Sequence, residues 1–249
     1  MSFKNKLALV TGGGRDIGRA IALKFASEGA YVIINYSQSA TAAEETLSTV
    51  TAGGGQGLLY KADLTKATEV KKLKEFVSSV SNRLDVLVNN AGGIIARKKM
   101  VDQDESFYDS VMDLNFKSLF LVTQSMIEMI PQGGSIVNVS SLAARDGGGF
   151  GASLYAASKG AITTYTRSLA KEFGPSGVRV NAVCPGLIGT TFHDKFTPNN
   201  VRENVVAATP LRREGTAEEV ANLVAFLASD QASFITGANY DINGGVGFS

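Results

Sequence analysis

Short apolar runs alternate along this chain with longer stretches in which apolar positions recur at helical spacing. Most of the short runs are continuously apolar, which is typical of parallel strands buried on both faces. They predict strands at residues 7–11, 31–36, 57–62, 84–89, 135–140, 178–184 and 239–242. The longer stretches predict helices at residues 17–27, 40–51, 67–81, 106–130, 153–173 and 217–228.

This alternation predicts the α/β class: a single Rossmann-type doubly wound parallel sheet of about seven strands, flanked by helices on both faces. No linker or repeat divides the chain, so we expect one domain over residues 1–249. An irregular insert covers about residues 189–209, after the sixth strand. Ligands of such sheets bind beyond the carboxyl ends of the strands, so we expect this insert to be a substrate lid.

Composition narrows the class of partner. Of 249 residues, 44% are hydrophobic, which suits a globular domain with a large core. The net charge of +1 argues against nucleic acid or an acidic membrane as the main partner. Cys184 is the only cysteine, so we expect neither an intrachain disulfide nor a metal cluster built on it. We see no signal peptide or membrane-length apolar run and expect a cytoplasmic protein.

A glycine-rich turn joins the first strand to the first helix, reading Thr-Gly-Gly-Gly-Arg-Asp-Ile-Gly over residues 11–18. Glycines let backbone amides approach a diphosphate, and the amino end of a helix favours its negative charge. The literal pattern G-x-G-x-x-G fails because residue 17 is isoleucine. The position of the turn indicates dinucleotide binding; a tight turn without a ligand is the alternative.

The end of the second strand bears on the choice of dinucleotide. An acidic residue there would bind the ribose hydroxyls of NAD and repel a 2′-phosphate. This chain instead has Asn35, Tyr36 and Ser37, and Arg15 can reach toward the same corner. We therefore favour NADP(H), with NAD(H) possible; Arg15 as a solvated surface charge is the alternative.

Tyr155 and Lys159 are four residues apart in a predicted helix, so both side chains lie on one face. An ammonium beside the phenol would lower the pKa of Tyr155 from its ordinary value of about 10. Such a phenol can exchange a proton with a carbonyl or alcohol oxygen. The alternative is a core tyrosine beside a solvated amine.

The following motifs occur in this order along the chain: residues 12–18, Asn89-Asn-Ala-Gly92, Asn115, Ser141, the Tyr155/Lys159 pair and Pro185-Gly186. With this ordered set, the chain resembles the classical short-chain dehydrogenases/reductases over essentially its whole length. The resemblance implies that Tyr155 is the catalytic acid/base and that Lys159 lowers its pKa and holds the nicotinamide ribose. It implies that Ser141 binds the substrate oxygen and that Asn115 supports a water in a proton relay.

The same resemblance implies a homotetramer and a hydride supplied by the nicotinamide. It implies cofactor contacts from the following further residues: Gly12, Gly14, Arg15, Asp16, Ile17, Gly18, Asp63, Leu64, Asn89, Ala91, Gly92, Pro185, Gly186, Ile188 and Thr190. Two features depart from the family pattern. Asp16 stands where the family usually has its middle glycine, and Ser141 lies fourteen residues before Tyr155, one more than the commonest spacing.

Several segments look like reductases of the alginate degradation pathway: Asn89 to Gly93 followed by Arg97, residues 107–115, 143–149 and 191–193. Those enzymes reduce 4-deoxy-L-erythro-5-hexoseulose uronate to 2-keto-3-deoxy-D-gluconate. Arg97 and Arg145 follow the fourth and fifth strands and could clamp a carboxylate. Gly148 could leave room for a hydroxylated chain, and His193 could bind the substrate or face water.

Two other functions stay open. A 3-ketoacyl-(acyl-carrier-protein) reductase shares this scaffold and would need a basic docking face, to which Arg167, Lys171, Arg212 and Arg213 could contribute. A nicotinamide-binding sensor without turnover would belong to a different class. Such a protein has usually lost the residues that transfer the proton, whereas Asn115, Ser141, Tyr155 and Lys159 are all present here.

Overall fold

The computed structural model describes residues 2–248, apart from the side chain of Lys195. Within them seven parallel strands form one sheet in the order β3-β2-β1-β4-β5-β6-β7, which confirms the predicted doubly wound fold. The strands are β1 Leu7–Val10, β2 Tyr31–Tyr36, β3 Gln56–Lys61, β4 Val86–Asn89, β5 Ser135–Val139, β6 Arg179–Pro185 and β7 Asn239–Ile242.

Helices connect the strands and cover both faces of the sheet. They are α1 Asp16–Ser27, α2 Ala40–Ala52, α3 Ala67–Val80, α4 Glu105–Met112, α5 Ser118–Met126, α6 Ala143–Asp146, α7 Ser153–Phe173, α8 Thr191–Phe196, α9 Asn199–Ala208 and α10 Ala217–Ala228. A capping box begins α10, where the side chains of Thr216 and Glu219 each accept from the other residue's backbone amide.

The two faces of the sheet support two apolar cores, because successive side chains of a strand point to opposite sides. On β1, Ala8 and Val10 pack in the core beneath α1 and α10. Leu7 and Leu9 pack in the core beneath α3, α5 and α7. All four residues of β1 are buried, as the continuous apolar run predicted.

The helix predicted over residues 106–130 is interrupted. Asp113–Lys117 is a π-helical segment between α4 and α5, and Ile127–Met129 is a 3₁₀ turn. At the centre of the π segment, the side chain of Asn115 donates to the Val111 carbonyl at 3.0 Å. That carbonyl is the acceptor that the amide of residue 115 would use in a regular α-helix. The side chain therefore stabilises the departure from α-helical geometry.

The insert at 189–209 differs from the irregular segment that we expected, because it contains α8 and α9. Arg202 in α9 donates to Asp194 in α8 at 2.6 Å and to Glu214 beyond the insert at 2.6 and 2.7 Å. These bonds join the two short helices to each other and to the body of the protein. No helix within residues 2–248 has both the length and the apolar character needed to cross a bilayer.

Candidate active site

A cleft of about 440 Å³ lies beyond the carboxyl ends of β1, β4, β5 and β6, between the sheet and the insert. Three of the four predicted catalytic residues line it: Ser141, Tyr155 and Lys159. The predicted cofactor residues that line it are Gly12, Arg15, Asp16, Ile17, Gly18, Ala91, Gly92, Pro185, Gly186, Ile188 and Thr190. The sequence pattern and the fold thus bring these two sets together in one cavity.

The turn between β1 and α1 requires glycine at two positions. Gly12 has a φ of +60°, in the left-handed region that glycine adopts most easily. A Cβ on Gly18 would lie 2.1 Å from the Gly12 carbonyl oxygen and 2.6 Å from the Asn90 amide nitrogen. The first amides of α1 have no acceptor within the helix. The turn therefore presents backbone donors to the cleft, an arrangement that fits a diphosphate.

Asp16 does not point into this turn. Its carboxylate accepts hydrogen bonds from the backbone amide of Thr191 at 3.0 Å and from the Thr191 hydroxyl at 2.6 Å. Arg15 lies beside it, with its Nε 3.8 Å from the carboxylate, and is largely exposed. The carboxylate at the position of the family's middle glycine is thus directed across the cleft to α8.

The end of β2 differs from our expectation. Asn35 is buried, and its amide group donates to the carbonyls of Tyr60 and Ala62 at 3.3 and 3.2 Å. Its oxygen accepts from the Gly12 amide at 3.3 Å. Asn35 therefore fastens the glycine turn to β3, and its side chain is not placed to bind a ribose.

Other predicted cofactor residues lie outside the cleft lining: Gly14, Tyr36, Ser37, Asp63, Leu64 and Asn89. The Asp63 carboxylate accepts from the Thr65 hydroxyl at 2.7 Å and pairs with Lys66 at 3.3 Å, and these contacts hold its pKa below the ordinary value despite some burial. The Asn89 amide donates to Thr123 and Asn138, both at 2.9 Å, between β4 and β5. These two side chains support the framework of the site.

Burial decides the acidity of Tyr155, which α7 places in the cleft. It raises the pKa of the phenol above the ordinary value of 10.0, and this effect exceeds those of the Ser141 hydrogen bond and the Arg97 charge, which act to lower it. The predicted lowering of the pKa by Lys159 is therefore wrong for this structure. Tyr155 holds its proton, as a general acid must before it donates one.

Lys159 is buried one turn further along α7. Its Nζ donates to the Val139 carbonyl at 2.9 Å and lies 5.8 Å from the centre of the Tyr155 ring. Burial lowers the pKa of Lys159 from 10.5 to about 8, with the nearby Cys184 opposing this change. The amine can therefore exchange a proton within the physiological pH range.

Asn115 lies behind the cleft wall rather than on it. It is fully buried, its oxygen accepts from the Gly93 amide at 2.9 Å, and its amide donates to the Gly93 carbonyl at 3.0 Å. A Cβ on Gly92 would lie 2.8 Å from this oxygen and 3.2 Å from Nζ of Lys159. Glycine at position 92 thus leaves the space between Asn115 and Lys159 clear.

The two arginines proposed as a clamp lie in different environments. Arg97 lines the cleft and donates to the carbonyls of Phe196 at 3.0 Å and Phe150 at 3.1 Å. Arg145 does not line it: it donates to the Asn239 carbonyl at 3.2 Å and pairs with Asp241 at 3.5 Å. The predicted two-arginine clamp is therefore wrong, because β7 already engages Arg145.

His193 and the neighbouring Phe192 bring α8 over the catalytic residues. The Phe192 ring centre is 6.2 Å from that of Tyr155. His193 lines the cleft and its Nδ1 lies 2.9 Å from the Thr197 hydroxyl. Burial and the charge of Arg202 lower the pKa of His193 to about 4, so the imidazole is neutral at physiological pH.

Sequence reasoning missed part of the lining, including Asn90, Leu142, Asp146, Leu187, Phe192, Thr197, Val201 and Val205. Asn90 could have been found from its place in the Asn-Asn-Ala-Gly run, whereas the residues of α8 and α9 carry no local signal. Gly148, predicted to leave room for the substrate, does line the cleft. Among the described residues, no group of three or more His, Cys, Asp or Glu side chains could hold a metal ion.

A family model described as enoyl-(acyl carrier protein) reductase matches residues 12–247. The chain is 38% identical over 248 residues to a 3-oxoacyl-[acyl-carrier-protein] reductase of Synechocystis, covering 97% of this chain and 96% of the relative. A Burkholderia cenocepacia short chain dehydrogenase, solved in complex with NADP, superposes with a TM-score of 0.92 at 33% identity over 99% of both chains. An NADH-dependent reductase A1-R′ responsible for alginate metabolism superposes with a TM-score of 0.91 at 33% identity, again over 99% of both chains.

The buried Lys159 predicts how stability changes with pH in the cofactor-free protein. Between pH 8 and 10.5 the unfolded chain binds more protons at this residue than the folded chain, so this residue's contribution makes folding more favourable as pH rises. The free energy of unfolding of Lys159→Met, relative to that of the wild type, should therefore be highest below pH 8. This relative advantage should shrink by up to about 3 kcal/mol as pH rises to 10.5.

Urea denaturation at a series of pH values measures this difference. Lys171→Met removes an exposed lysine from the same helix and is the control. A difference between wild type and Lys159→Met that stays constant from pH 8 to 10.5 would contradict the prediction.

Proposed function

This chain belongs to the short-chain dehydrogenase/reductase family and is an oxidoreductase, and we propose that it reduces a small anionic carbonyl compound with NADP(H). The observation that carries the substrate class is Arg97, a cation in the cleft lining that has no acidic partner among the described residues. The observation that carries the chemistry is the enclosure of Tyr155 and Lys159 in the same cleft.

The glycine turn, the start of α1 and the segment after β6 would hold the dinucleotide. This assignment is supported by the space that Gly12, Gly18 and Gly92 leave along the cleft. When bound, the nicotinamide supplies the hydride. NADP(H) is favoured because β2 ends without an acidic residue and Arg15 is exposed beside the turn, and a neighbour of this fold binds NADP. NAD(H) remains possible, since another neighbour is NADH-dependent.

The residues that line the cleft support a proton path. Ser141 lies in the same lining as Tyr155 and would orient the substrate oxygen beside the phenol. Tyr155, which holds its proton, would donate it to the oxygen of the reduced carbonyl. Lys159 would then return a proton to Tyr155, and Asn115, which faces the same space beside Gly92, would support the water that reloads Lys159.

The charge of the cleft supports an anionic substrate. Among the described residues no carboxylate lies within ion-pair distance of Arg97, whereas Arg145 and Arg202 are both paired with acids. The two hydrogen bonds of Arg97 to backbone carbonyls use two of the five N–H donors of a guanidinium. The remaining donors could bind a carboxylate.

A keto-uronate meets these requirements, since it combines a carboxylate, hydroxyl groups and a reducible carbonyl. We therefore propose reduction of 4-deoxy-L-erythro-5-hexoseulose uronate to 2-keto-3-deoxy-D-gluconate, as the sequence resemblance implied. The similarity to the reductase A1-R′ of alginate metabolism supports this substrate. The homotetramer implied by the family resemblance and the cytoplasmic location expected from the sequence both stay predictions.

Reduction of a 3-oxoacyl group on acyl carrier protein is the second candidate, favoured by the Synechocystis relative. It would need a basic surface beside the cleft. Arg167, Lys171, Arg212 and Arg213 are exposed, but Arg213 pairs with Glu219, which reduces its charge toward a partner. Exposed pairs of this kind contribute little free energy, so this observation does not remove the candidate.

Replacing Tyr155 by phenylalanine should lower kcat at least about a hundredfold, because the general acid is lost while the ring remains. The Kd of the cofactor, followed by fluorescence titration with NADPH and NADH in parallel, should change less than about threefold.

Tyr165→Phe is the matched control, since it removes a hydroxyl from the same helix at a position outside the cleft lining. Substantial residual kcat in Tyr155→Phe, or an equal loss in Tyr165→Phe, would refute the assignment of Tyr155.

Arg97→Ala should raise KM for the keto-uronate about tenfold or more, since a charge-assisted hydrogen bond is lost. KM for a neutral aldehyde should rise much less. Displacement of the loops that Arg97 joins would instead raise KM for both substrates. Cofactor oxidation with the keto-uronate, the aldehyde and an acetoacetyl thioester measures all three substrates.

Arg145→Ala is the control, because a residue outside the cleft should affect the uronate and the aldehyde equally. Equal effects of Arg97→Ala on both substrates would contradict the proposed contact between Arg97 and the substrate carboxylate. Turnover of the thioester without turnover of the uronate would instead favour the acyl-carrier function.

A further inference from the structure

Asp16 is held in an unusual backbone conformation inside the glycine turn. Its φ is +51°, in the left-handed region that disfavours residues with a side chain. A glycine would adopt this conformation more easily, so the carboxylate is present despite a cost in backbone strain. The contacts of the carboxylate indicate what it contributes.

The Asp16 carboxylate stabilises the start of α8 from the opposite side of the cleft. It accepts from both the amide and the hydroxyl of Thr191, at 3.0 and 2.6 Å, across 175 positions of sequence. Thr190, the residue before α8, makes no capping bond with its own side chain. Asp16 thus satisfies a donor at the amino end of α8 that a local residue would normally satisfy.

This contact connects the two halves of the cleft. Asp16 belongs to the turn that would hold the cofactor, whereas α8 carries Phe192 over Tyr155 and places His193 in the lining. Further along α8, Arg97 donates to the Phe196 carbonyl and Arg202 to Asp194. Just before α8, the Gly189 amide donates to the Gly215 carbonyl at 2.9 Å, and Asp16 adds the contact that joins the first residue of the helix to the turn.

We propose that Asp16 is a positioning residue that couples the cofactor turn to α8, so that a bound cofactor orders the substrate side of the cleft. A diphosphate bound by the backbone of the turn fixes the turn and, with it, the carboxylate that holds Thr191. The affinity for substrate then rises when cofactor is bound, and the affinity for cofactor rises by the same factor when substrate is bound. This inference rests on the proposed dinucleotide function.

Hydrogen–deuterium exchange of residues 191–197, with and without NADPH, measures the coupling without requiring turnover. In the wild type, NADPH should slow exchange in this segment. In Asp16→Gly most of this slowing should be lost when each protein is saturated with NADPH. Glycine fits a φ of +51°, so the variant should keep the conformation of the turn.

Variants of Thr191 identify the contact itself. Thr191→Val removes the hydroxyl and should lose part of the coupling, whereas Thr191→Ser keeps both donors and should retain it. Thr191→Val should add little in an Asp16→Gly background, because its partner is already absent. In steady-state assays at saturating NADPH, Asp16→Gly should raise KM for the carbonyl substrate about fivefold.

The proposal is wrong if NADPH slows exchange of α8 in Asp16→Gly as strongly as in the wild type. It is also wrong if the effects of Asp16→Gly and Thr191→Val on exchange are simply additive. A wild-type protein that binds neither NADPH nor NADH would refute the proposed function, and this inference with it, before any variant is compared.

Discussion

The candidate site depends on the burial of two side chains, of which Lys159 is buried and Tyr155 is half-buried. Both side chains project from α7 into a cleft bounded by the ends of the parallel strands and by α8. In this environment the uncharged form of each group is favoured, which raises the pKa of the phenol and lowers that of the amine to about 8. The amine thus becomes more acidic than the phenol, so a proton passes more readily from Lys159 to the Tyr155 phenolate.

This arrangement suits reduction of a carbonyl. A proton donor must be protonated when the substrate binds, and a neighbouring amine of lower pKa can return a proton to the phenolate that forms. The opposite reaction, oxidation of an alcohol, would need the phenolate, which burial disfavours. A bound cofactor with a positive nicotinamide ring would add a charge that favours the phenolate. The protonation state of Tyr155 can therefore follow the redox state of the cofactor.

The sheet could be predicted because continuous apolar runs need no information beyond the local sequence, and all seven predicted strands are present. The π segment could not, because the Asn115 side chain that bonds the Val111 carbonyl is itself held by Gly93, beyond the end of β4. Helix α8 was missed because the side chain that accepts from its first amide, Asp16, is far away in sequence. Arg145 was misassigned because its partner Asp241 lies on the last strand.

The direction of the pKa change at Tyr155 could not be predicted from the local sequence either. Spacing along a helix indicates that an amine is near, but the extent of burial follows only from the packed structure. The most direct measurement is a titration of the cofactor-free protein by phenolate absorbance, taken as the difference between wild type and Tyr155→Phe. We expect the pKa of Tyr155 to lie above 10.0, the ordinary pKa of tyrosine. Ionisation of Tyr155 near neutral pH in the absence of cofactor would contradict the central role of burial.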